Sequence, residues 1–213
     1  MNKTRPTITC AGNGPYLLKN DETSPIELYV SGPEGETVSS VSGVALCRCG
    51  ASGNKPLCDG THRKNGFSDR NEADAAANRS VDYTGASITI HDNRGICAHA
   101  GYCTDQLSSV FKMGSEPWID PDGASVEAII ALVGQCPSGA LSYTLENSGA
   151  GEQDITPRIR VMKNGPYAVS GVELGDHELG DGATSARYTL CRCGASKNKP
   201  FCDGSHWDIG FEG

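Results

Sequence analysis

The stretch that decides the fold is residues 47–62, which read CRCGASGNKPLCDGTH, and it returns as residues 191–206, which read CRCGASKNKPFCDGSH. Within these 16-residue blocks, the only differences are Gly53/Lys197, Leu57/Phe201 and Thr61/Ser205. The tetrapeptide Asn-Gly-Pro-Tyr is also repeated upstream, at residues 13–16 and 164–167. A repeat of this quality indicates two copies of one structural unit at the two ends of the chain.

Each copy presents three cysteines and one histidine with the spacing Cys-x-Cys-x8-Cys-x3-His. The candidate ligands are Cys47, Cys49, Cys58 and His62 in the first copy, and Cys191, Cys193, Cys202 and His206 in the second. Thiolates combined with an imidazole suit iron-sulfur clusters and zinc. Spacing alone leaves both metals open, because Cys3His is also a common structural zinc set.

The composition limits the classes of function that the chain can have. Among 213 residues, 37% are hydrophobic and 6% aromatic, which is little material for a large apolar core. The formal net charge of -8 opposes the phosphate backbone, so we expect no nucleic-acid binding. We recognise neither a secretory leader nor a membrane-spanning run, which favours a cytoplasmic protein whose 10 cysteines bind metal rather than form disulfides.

The full repeated string resembles the signature of the CDGSH iron-sulfur family, the family of mitoNEET. There the three cysteines and the histidine hold one 2Fe-2S cluster, so the resemblance implies two such clusters here, one at each end of the chain. CDGSH proteins commonly form two-fold dimers. A duplication within one chain therefore implies that its copies pack together as an intramolecular pseudo-dimer in a monomeric protein. The membrane anchor of mitoNEET has no counterpart, so we expect no tethering to a membrane.

A histidine in place of a fourth thiolate determines the chemistry expected of each site. Neutral imidazole replaces a negative charge, which makes reduction easier and raises the reduction potential. The outer ring nitrogen can exchange a proton near neutral pH. Protonation of the ligand nitrogen would labilise the cluster. These properties predict proton-coupled electron transfer and cluster donation.

Glycine and aspartate residues in each motif predict the local backbone around the cluster. Asp59 and Asp203 are expected either to N-cap a short helix that carries the histidine or to hydrogen-bond near the cluster. Four glycines are expected to adopt positive φ and to let backbone approach the cluster sulfides. They are Gly50, Gly60, Gly194 and Gly204.

Between the copies lies a third unit with its own cysteines. The string Cys97-Ala98-His99-Ala100-Gly101-Tyr102-Cys103, followed by Cys136 and Pro137, resembles a divergent single-cluster ferredoxin domain. The resemblance implies a third cluster on Cys97, Cys103 and Cys136, although three cysteines in a small unit are also compatible with buried apolar thiols. Strands are expected at residues 87–90 and 140–145. One helix is expected to begin at Thr104, and another to contain residues 126–133.

The nuclearity of the third cluster depends on Ala100, which stands where a Cys-x2-Cys-x2-Cys run would place its second ligand. Three thiolates are enough for a 3Fe-4S cluster, which is our first expectation. The alternative is a 4Fe-4S cluster with His99 or an outside ligand on the fourth iron. His99 is equally compatible with a loop histidine that only hydrogen-bonds near the cluster.

The predicted architecture is α+β and rich in β structure, with two small CDGSH domains and an inserted ferredoxin-like domain. The predicted domains are residues 1–68, 80–147 and 155–213, and residues 69–79 and 147–154 are predicted linkers. Residues 7–10 and 158–161 alternate as strands do. The stretch after each tyrosine is expected to be a loop that ends in a strand before the first cysteine, at residues 45–46 and 188–190. Cys10, aligned with Val161, is interpreted as structural, and His91 and His177 as surface residues without ligand-like neighbours.

The function that these observations favour is electron transfer, cluster transfer or both, with a redox partner or a cluster-acceptor protein. No nucleotide-binding loop, nucleophile triad or open metal site is recognised, so we do not expect an enzyme. Two alternatives remain: a protein that senses redox or iron status through its interactions, and a zinc-stabilised scaffold.

Overall fold

The fold comes from a computed structural model that describes residues 6–20, 25–32, 35–74, 78–145, 156–179 and 186–213. The second predicted linker, residues 147–154, lies outside the described residues. Within the described ranges, the strands are β1 (Thr7–Cys10), β2 (Tyr16–Lys19), β3 (Ile26–Gly32), β4 (Gly35–Val41), β5 (Ala45–Leu46), β6 (Ser80–Thr84), β7 (Ile88–Asn93), β8 (Leu141–Leu145), β9 (Arg158–Val161), β10 (Tyr167–Ser170), β11 (Glu173–Leu174) and β12 (Arg187–Leu190). The α-helices in those ranges are α1 (Tyr102–Gln106), α2 (Val126–Val133) and α3 (Ser205–Asp208).

The two copies exchange strands across two sheets. In the first sheet the order is β11-β1-β2-β5, so β11 of the C-terminal copy joins three strands of the N-terminal copy and runs parallel to β1. In the second sheet the order is β12-β10-β9-β3-β4, and here β3 of the N-terminal copy runs parallel to β9. The strands expected at residues 7–10 and 158–161 are confirmed. Each copy therefore contributes backbone hydrogen bonds to the sheet of the other.

The expectation of a loop between the tyrosine and the first cysteine is wrong for the N-terminal copy. That stretch contains β3 and β4, which pair antiparallel as a hairpin. Ile26 and Leu28 point into the core and are 0% and 5% exposed. The alternation Ile-Glu-Leu-Tyr-Val is typical of a half-buried strand, and the surrounding glycine and serine residues obscured it.

One apolar core is shared by both copies. It combines Ile8 and Leu18 from the first with Ile159 and Val169 from the second. Such sharing is expected because a unit of roughly 55 residues buries too little apolar surface to be stable alone. Near the centre, the buried rings of two tyrosines, Tyr16 and Tyr167, meet edge to face, with centroids 6.0 Å apart.

Each of these tyrosines donates a hydrogen bond to the cysteine motif of the opposite copy. Tyr16 Oη lies 2.8 Å from the carbonyl oxygen of Cys191, and Tyr167 Oη lies 2.8 Å from that of Cys47. Each hydroxyl also lies 3.0 Å from a proline carbonyl of the same motif. Burial raises the pKa of both phenols well above the usual value, so both remain protonated donors. These contacts hold each cysteine motif against the other half of the molecule.

The central unit has its own sheet, in the antiparallel order β6-β7-β8, with a second apolar core beneath α2. The prediction of α2 is confirmed, and Ser125 caps its first turn by accepting a hydrogen bond from Ala128 N at 3.3 Å. The predicted start of the other helix at Thr104 is wrong. Helix α1 begins at Tyr102, because Gly101 adopts a left-handed conformation with φ 80° and serves as its N-cap. Thr104 Oγ1 instead donates to Gly101 O at 3.0 Å.

The central unit packs against the C-terminal copy. Ile96 and Ala140 belong to the core that the two copies share. The side-chain amide of Asn198 donates to the carbonyl oxygen of Gly95. Among the described residues, no helix has the length and apolar character needed to cross a lipid bilayer.

We predict that Tyr16→Phe, a substitution in the N-terminal copy, destabilises the cysteine motif of the C-terminal copy. The change leaves the carbonyl of Cys191 without its buried donor, which costs about 1–3 kcal/mol of unfolding free energy. Hydrogen-exchange mass spectrometry should show faster exchange in residues 188–202, and Tyr167→Phe should have that effect in residues 45–58. Tyr29→Phe is the control, because its hydroxyl donates to the Glu27 side chain of the same strand. Faster exchange confined to the substituted copy would contradict the prediction.

Candidate functional site

The donors of each Cys3His set come from two backbone segments that hydrogen-bond to each other. In the N-terminal set, the backbone N–H groups of Cys47 and Cys58 each donate to the opposite segment at 2.8 Å. The sulfurs of Cys47 and Cys49 are 3.9 Å apart, and Cys58 Sγ lies 3.4 Å from His62 Nδ1. The donors are thus presented as two pairs.

The C-terminal set repeats this arrangement. Cys191 Sγ and Cys193 Sγ are 3.7 Å apart, and Cys202 Sγ lies 3.4 Å from His206 Nδ1. All 10 cysteines of the chain lie in the part that the structure describes, and every one of them is free of a disulfide. Two pairs of soft or borderline donors suit a 2Fe-2S cluster, whose two irons are each held by two protein ligands.

Burial determines the protonation state of several of these thiols. It raises the pKa of Cys202 to about 12 and is also the main cause of the raised pKa of Cys47. The hydrogen bond with Cys191 lowers the pKa of Cys193 to about 7. A thiol that is protonated when free must lose its proton when it binds a metal. Cluster binding at these sites is therefore coupled to proton release.

The aspartate of each motif shapes the turn that carries the histidine. Asp59 accepts hydrogen bonds from Thr61 N at 3.0 Å and Gly53 N at 2.8 Å, and bonds from Thr61 and Gly53 lower its pKa to about 2. The predicted N-cap position is wrong by one residue, because Gly60, with φ 87°, occupies it and Asp59 precedes it. Asp203 makes the same contacts before α3, whose N-cap is Gly204.

The arginine between the first two cysteines is a functional residue that sequence reasoning missed. Arg48 and Arg192 are both 2% exposed. Arg192 donates from Nε to Gly165 O and from Nη2 to Met162 O, both at 2.8 Å, and its guanidinium lies 5.8 Å from the ring centre of Tyr167. It thereby ties the cysteine motif to the Asn-Gly-Pro-Tyr turn. The signal was available, because the arginine, the turn and a later phenylalanine recur together in both copies.

The predicted positive φ is confirmed for the four motif glycines. At two of them the nearby atoms belong to the opposite motif, a contact that the sequence did not indicate. A Cβ on Gly50 would lie 2.4 Å from Cys193 O, and one on Gly194 would lie 2.7 Å from Cys49 O. The backbones of the two cysteine motifs therefore approach each other so closely that there is no room for a side chain at Gly50 or Gly194.

The two sites differ in their access to solvent. His206 and Cys202 are 5% and 3% exposed, whereas their counterparts His62 and Cys58 are only half-buried. His62 and Cys58 line an open pocket together with Phe67 and residues 11–15. The site in the C-terminal copy is covered by the central unit.

The three central cysteines are held by separate elements. Cys97 follows a 3₁₀ turn, Arg94–Ile96, Cys103 lies in α1, and Cys136 follows α2. Arg94 Nη1 donates to Cys97 Sγ at 3.6 Å, and hydrogen bonds to ligand sulfur tune the potential of a cluster. Burial is the main cause of the raised pKa of Cys97 and Cys103, and the nearby Cys136 raises both further.

The His99 side chain lies against the C-terminal motif. Its backbone is left-handed, with φ 53°, and its Cδ2 lies 2.7 Å from the position that a Cβ on Gly204 would take. The alternative role of His99 as a fourth ligand in the central unit stays untested. The contact itself joins the central cysteine segment to the turn that carries His206.

The two remaining histidines, His91 and His177, were both predicted to be surface residues without ligand-like neighbours. His91 pairs with Asp82 at 2.7 Å on the central sheet. His177 is exposed, as predicted, but the view that it has no ligand-like neighbours is wrong. Asp176 and Cys10 lie beside it, and their donor atoms and that of His177 are all within 4.8 Å of one another.

Comparison with known proteins agrees with this geometry. The family described as "Iron-binding zinc finger CDGSH type" matches residues 13–63 and 164–207, and the family described as "Divergent 4Fe-4S mono-cluster" matches residues 83–146. The "Uncharacterized protein YjdI" of Escherichia coli K12 is 39% identical over 61 residues, which are 29% of this chain and 80% of that protein. The "CDGSH iron-sulfur domain protein" of Drosophila melanogaster is 28% identical over 106 residues, which are 48% of this chain and 70% of that protein.

No solved structure is detectably similar to the chain. The duplicated donor sets and the family matches together define an iron-sulfur protein. The chain belongs to the CDGSH iron-sulfur family, with two CDGSH regions flanking a divergent 4Fe-4S region.

We predict that Gly50→Ala lowers stability and iron content by more than the backbone strain of an alanine at positive φ would cause. The control is Gly43→Ala, because Gly43 has φ 63° but no neighbouring atom within 4 Å of the position that a Cβ would take. The control should lose about 1–2 kcal/mol from backbone strain. Gly50→Ala adds a clash with Cys193 O, so iron content should fall at both ends of the chain. Equal stability and iron content in the two variants would contradict this prediction.

Proposed function

We propose that this iron-sulfur protein carries electrons and can donate clusters, and that it is not itself a catalyst. Its Cys3His sets would hold two 2Fe-2S clusters, and Cys97, Cys103 and Cys136 would hold a third cluster. The observation that carries the proposal is the contact of the central cysteine segment with the C-terminal motif, at His99 and Gly204. Neighbouring donor sets joined by a packed contact are what an internal electron relay requires.

The two ends would act as an intramolecular pseudo-dimer into which the ferredoxin-like unit is inserted. The reciprocal tyrosine hydrogen bonds, the exchanged β3 and β11, and the facing glycines Gly50 and Gly194 support this proposal. The domain limits 1–68, 80–147 and 155–213 remain predictions. In this arrangement, the two CDGSH donor sets face each other across a fixed backbone contact.

The chemistry that each 2Fe-2S cluster supplies when bound is a one-electron redox couple. The residues of the chain hold that couple in place and adjust it. Arg192 fixes its cysteine motif to the supporting turn, whereas Arg48 pairs with Asp69. The buried positive charge of both arginines favours the added electron. Gly60 N donates to Cys58 Sγ at 3.4 Å and withdraws charge from that sulfur.

A redox partner or cluster acceptor would dock at the N-terminal site. His62 and Cys58 are reachable there through the open pocket, whereas the equivalent residues of the C-terminal copy are covered. The net charge of -8 favours a basic protein as partner and disfavours nucleic acid. A reducing compartment such as the cytoplasm would keep the cysteines available as ligands.

The function can be tested by exchange with generic acceptors. Dithionite-reduced protein, freed of excess reductant under anaerobic conditions, is mixed with cytochrome c or with an apo-ferredoxin. Reduction of cytochrome c with retention of the visible cluster absorption supports electron transfer. Appearance of a cluster on the apo-ferredoxin supports cluster donation. A colourless protein loaded with zinc, or clusters that exchange neither electrons nor iron with any acceptor, would contradict the proposal.

We predict that His62→Cys and His206→Cys each lower the reduction potential of one cluster. The added thiolate brings a negative charge, and the shift should be on the order of 100 mV. Loss of the protonatable imidazole should also slow cluster decay below neutral pH. Redox titration and acid decay of visible absorption measure these effects. His91→Cys, which adds a thiol away from the sites, is the control. Unchanged potentials and decay rates in both variants would mean that neither histidine is a ligand.

We predict a 3Fe-4S cluster in the central unit, because Ala100 leaves that unit with three thiolates. Mild oxidation of anaerobically purified, fully loaded protein should produce a low-temperature EPR signal that oxidised 2Fe-2S and 4Fe-4S clusters do not give. Ala100→Cys supplies a fourth thiolate and should abolish the signal while raising the iron content. A wild-type protein that lacks the signal would favour a 4Fe-4S cluster instead.

A further inference from the structure

One group of potential metal ligands lies outside the three cysteine sets described above. Cys10 ends β1, and Asp176 and His177 follow β11 in the other copy. One donor atom of each side chain can be chosen so that all three lie within 4.8 Å of one another. The chain places a thiol, a carboxylate and an imidazole together where β1 of one copy meets the segment after β11 of the other.

Hydrogen bonds between β1 and the segment after β11 bring the side chains of Cys10, Asp176 and His177 close together. Gly175 N donates to Ile8 O at 2.9 Å and extends the pairing of β11 with β1. One step further along, Cys10 N donates to Asp176 Oδ2 at 2.7 Å. The other carboxylate oxygen, Asp176 Oδ1, lies 2.9 Å from His177 Nδ1. Asp176 thus orients both the thiol-bearing strand and the imidazole.

The duplication supplies an internal comparison for this group. Cys10 and Val161 occupy the same place, since Cys10 pairs with Tyr16 and Val161 pairs with Tyr167. In the second sheet, Val161 lies opposite Val30 of the other copy. In the other sheet, an apolar pair, Val161 and Val30, therefore occupies the position that Cys10 and Asp176 occupy here. Strand packing alone does not require the three polar donors.

We propose that Cys10, Asp176 and His177 form a site for a single zinc ion, separate from the cluster sites, that clips β1 to the segment after β11. A sulfur, nitrogen and oxygen set is suited to Zn²⁺, which takes three protein ligands and a water at open tetrahedral sites. Zinc holds such donors at about 2.0–2.3 Å, so they lie roughly 3.3–3.8 Å apart around the ion. Small side-chain rotations bring donors within 4.8 Å of one another to that spacing.

The charges around the thiol are compatible with a bound cation. Asp176 and Asp69 place negative charge near Cys10, and Arg48, which pairs with Asp69, opposes them in part. Burial raises the pKa of the Cys10 thiol to about 11, so the free site holds a neutral thiol. Binding of zinc replaces the thiol proton, which is released to solvent.

The test uses the full chain with its iron-sulfur clusters intact. After a chelator wash, the protein receives one equivalent of Zn²⁺, and bound zinc and iron are counted by mass spectrometry. We expect one zinc per chain with no loss of iron. Zinc-edge X-ray absorption should contain a single sulfur scatterer at about 2.3 Å, a signal that the iron clusters do not contribute to.

Two variants and one control isolate the ligands. Cys10→Val places in β1 the residue that Val161 provides in β9, and His177→Ala changes an exposed side chain, so folding is retained in at least one of them. Each should weaken zinc binding at least about tenfold. His91→Ala is the control, because His91 pairs with Asp82 without a cysteine, and it should bind zinc as the wild type does. Undiminished zinc binding in the folded variants, an absorption spectrum without sulfur, or zinc gained only as iron is lost would overturn the proposal.

Discussion

The constraint on which the structure depends is the close approach of two cysteine motifs, backbone against backbone. Gly50 and Gly194 leave room for the carbonyl groups of Cys193 and Cys49, and no larger residue fits there. The buried tyrosine hydroxyls then bond across the same contact. Each motif is therefore held by contacts with the opposite copy, and the donor sets lie against the core that both copies share.

The central unit makes the two copies unequal. It packs on the C-terminal copy through Ile96, Ala140 and the Asn198 amide, and it covers the turn that carries His206. The corresponding turn of the N-terminal copy stays open to solvent at His62. Two nearly identical 16-residue motifs thus have different surroundings. The two donor sets therefore differ in their access to solvent, although their residues are the same.

Local patterns in the sequence were enough to predict part of this structure. The alternation of residues 7–10 and the apolar spacing of α2 depend on periodicity, and both elements form where expected. The fourfold donor pattern likewise identified the family. The hairpin of β3 and β4 was missed because glycine and serine residues around it obscured its alternation, and because the other neighbour of β3, strand β9, lies more than a hundred residues away. The burial of Arg48 was missed for a related reason: a charged residue is predicted at the surface unless its partners, here Tyr16 and Asp69, are known.

Covalent continuity between the copies has a consequence for how the protein behaves on dilution. Paired CDGSH units on separate chains would part at low concentration, because their association is bimolecular. Here the exchanged strands belong to one polypeptide, and a tether of this kind maintains an effective concentration in the millimolar range at any protein level. The pairing of β3 with β9, and of β11 with β1, is therefore independent of how much protein the cell makes. Scarce copies of the chain would retain the contact between their two cysteine motifs as well as abundant ones do.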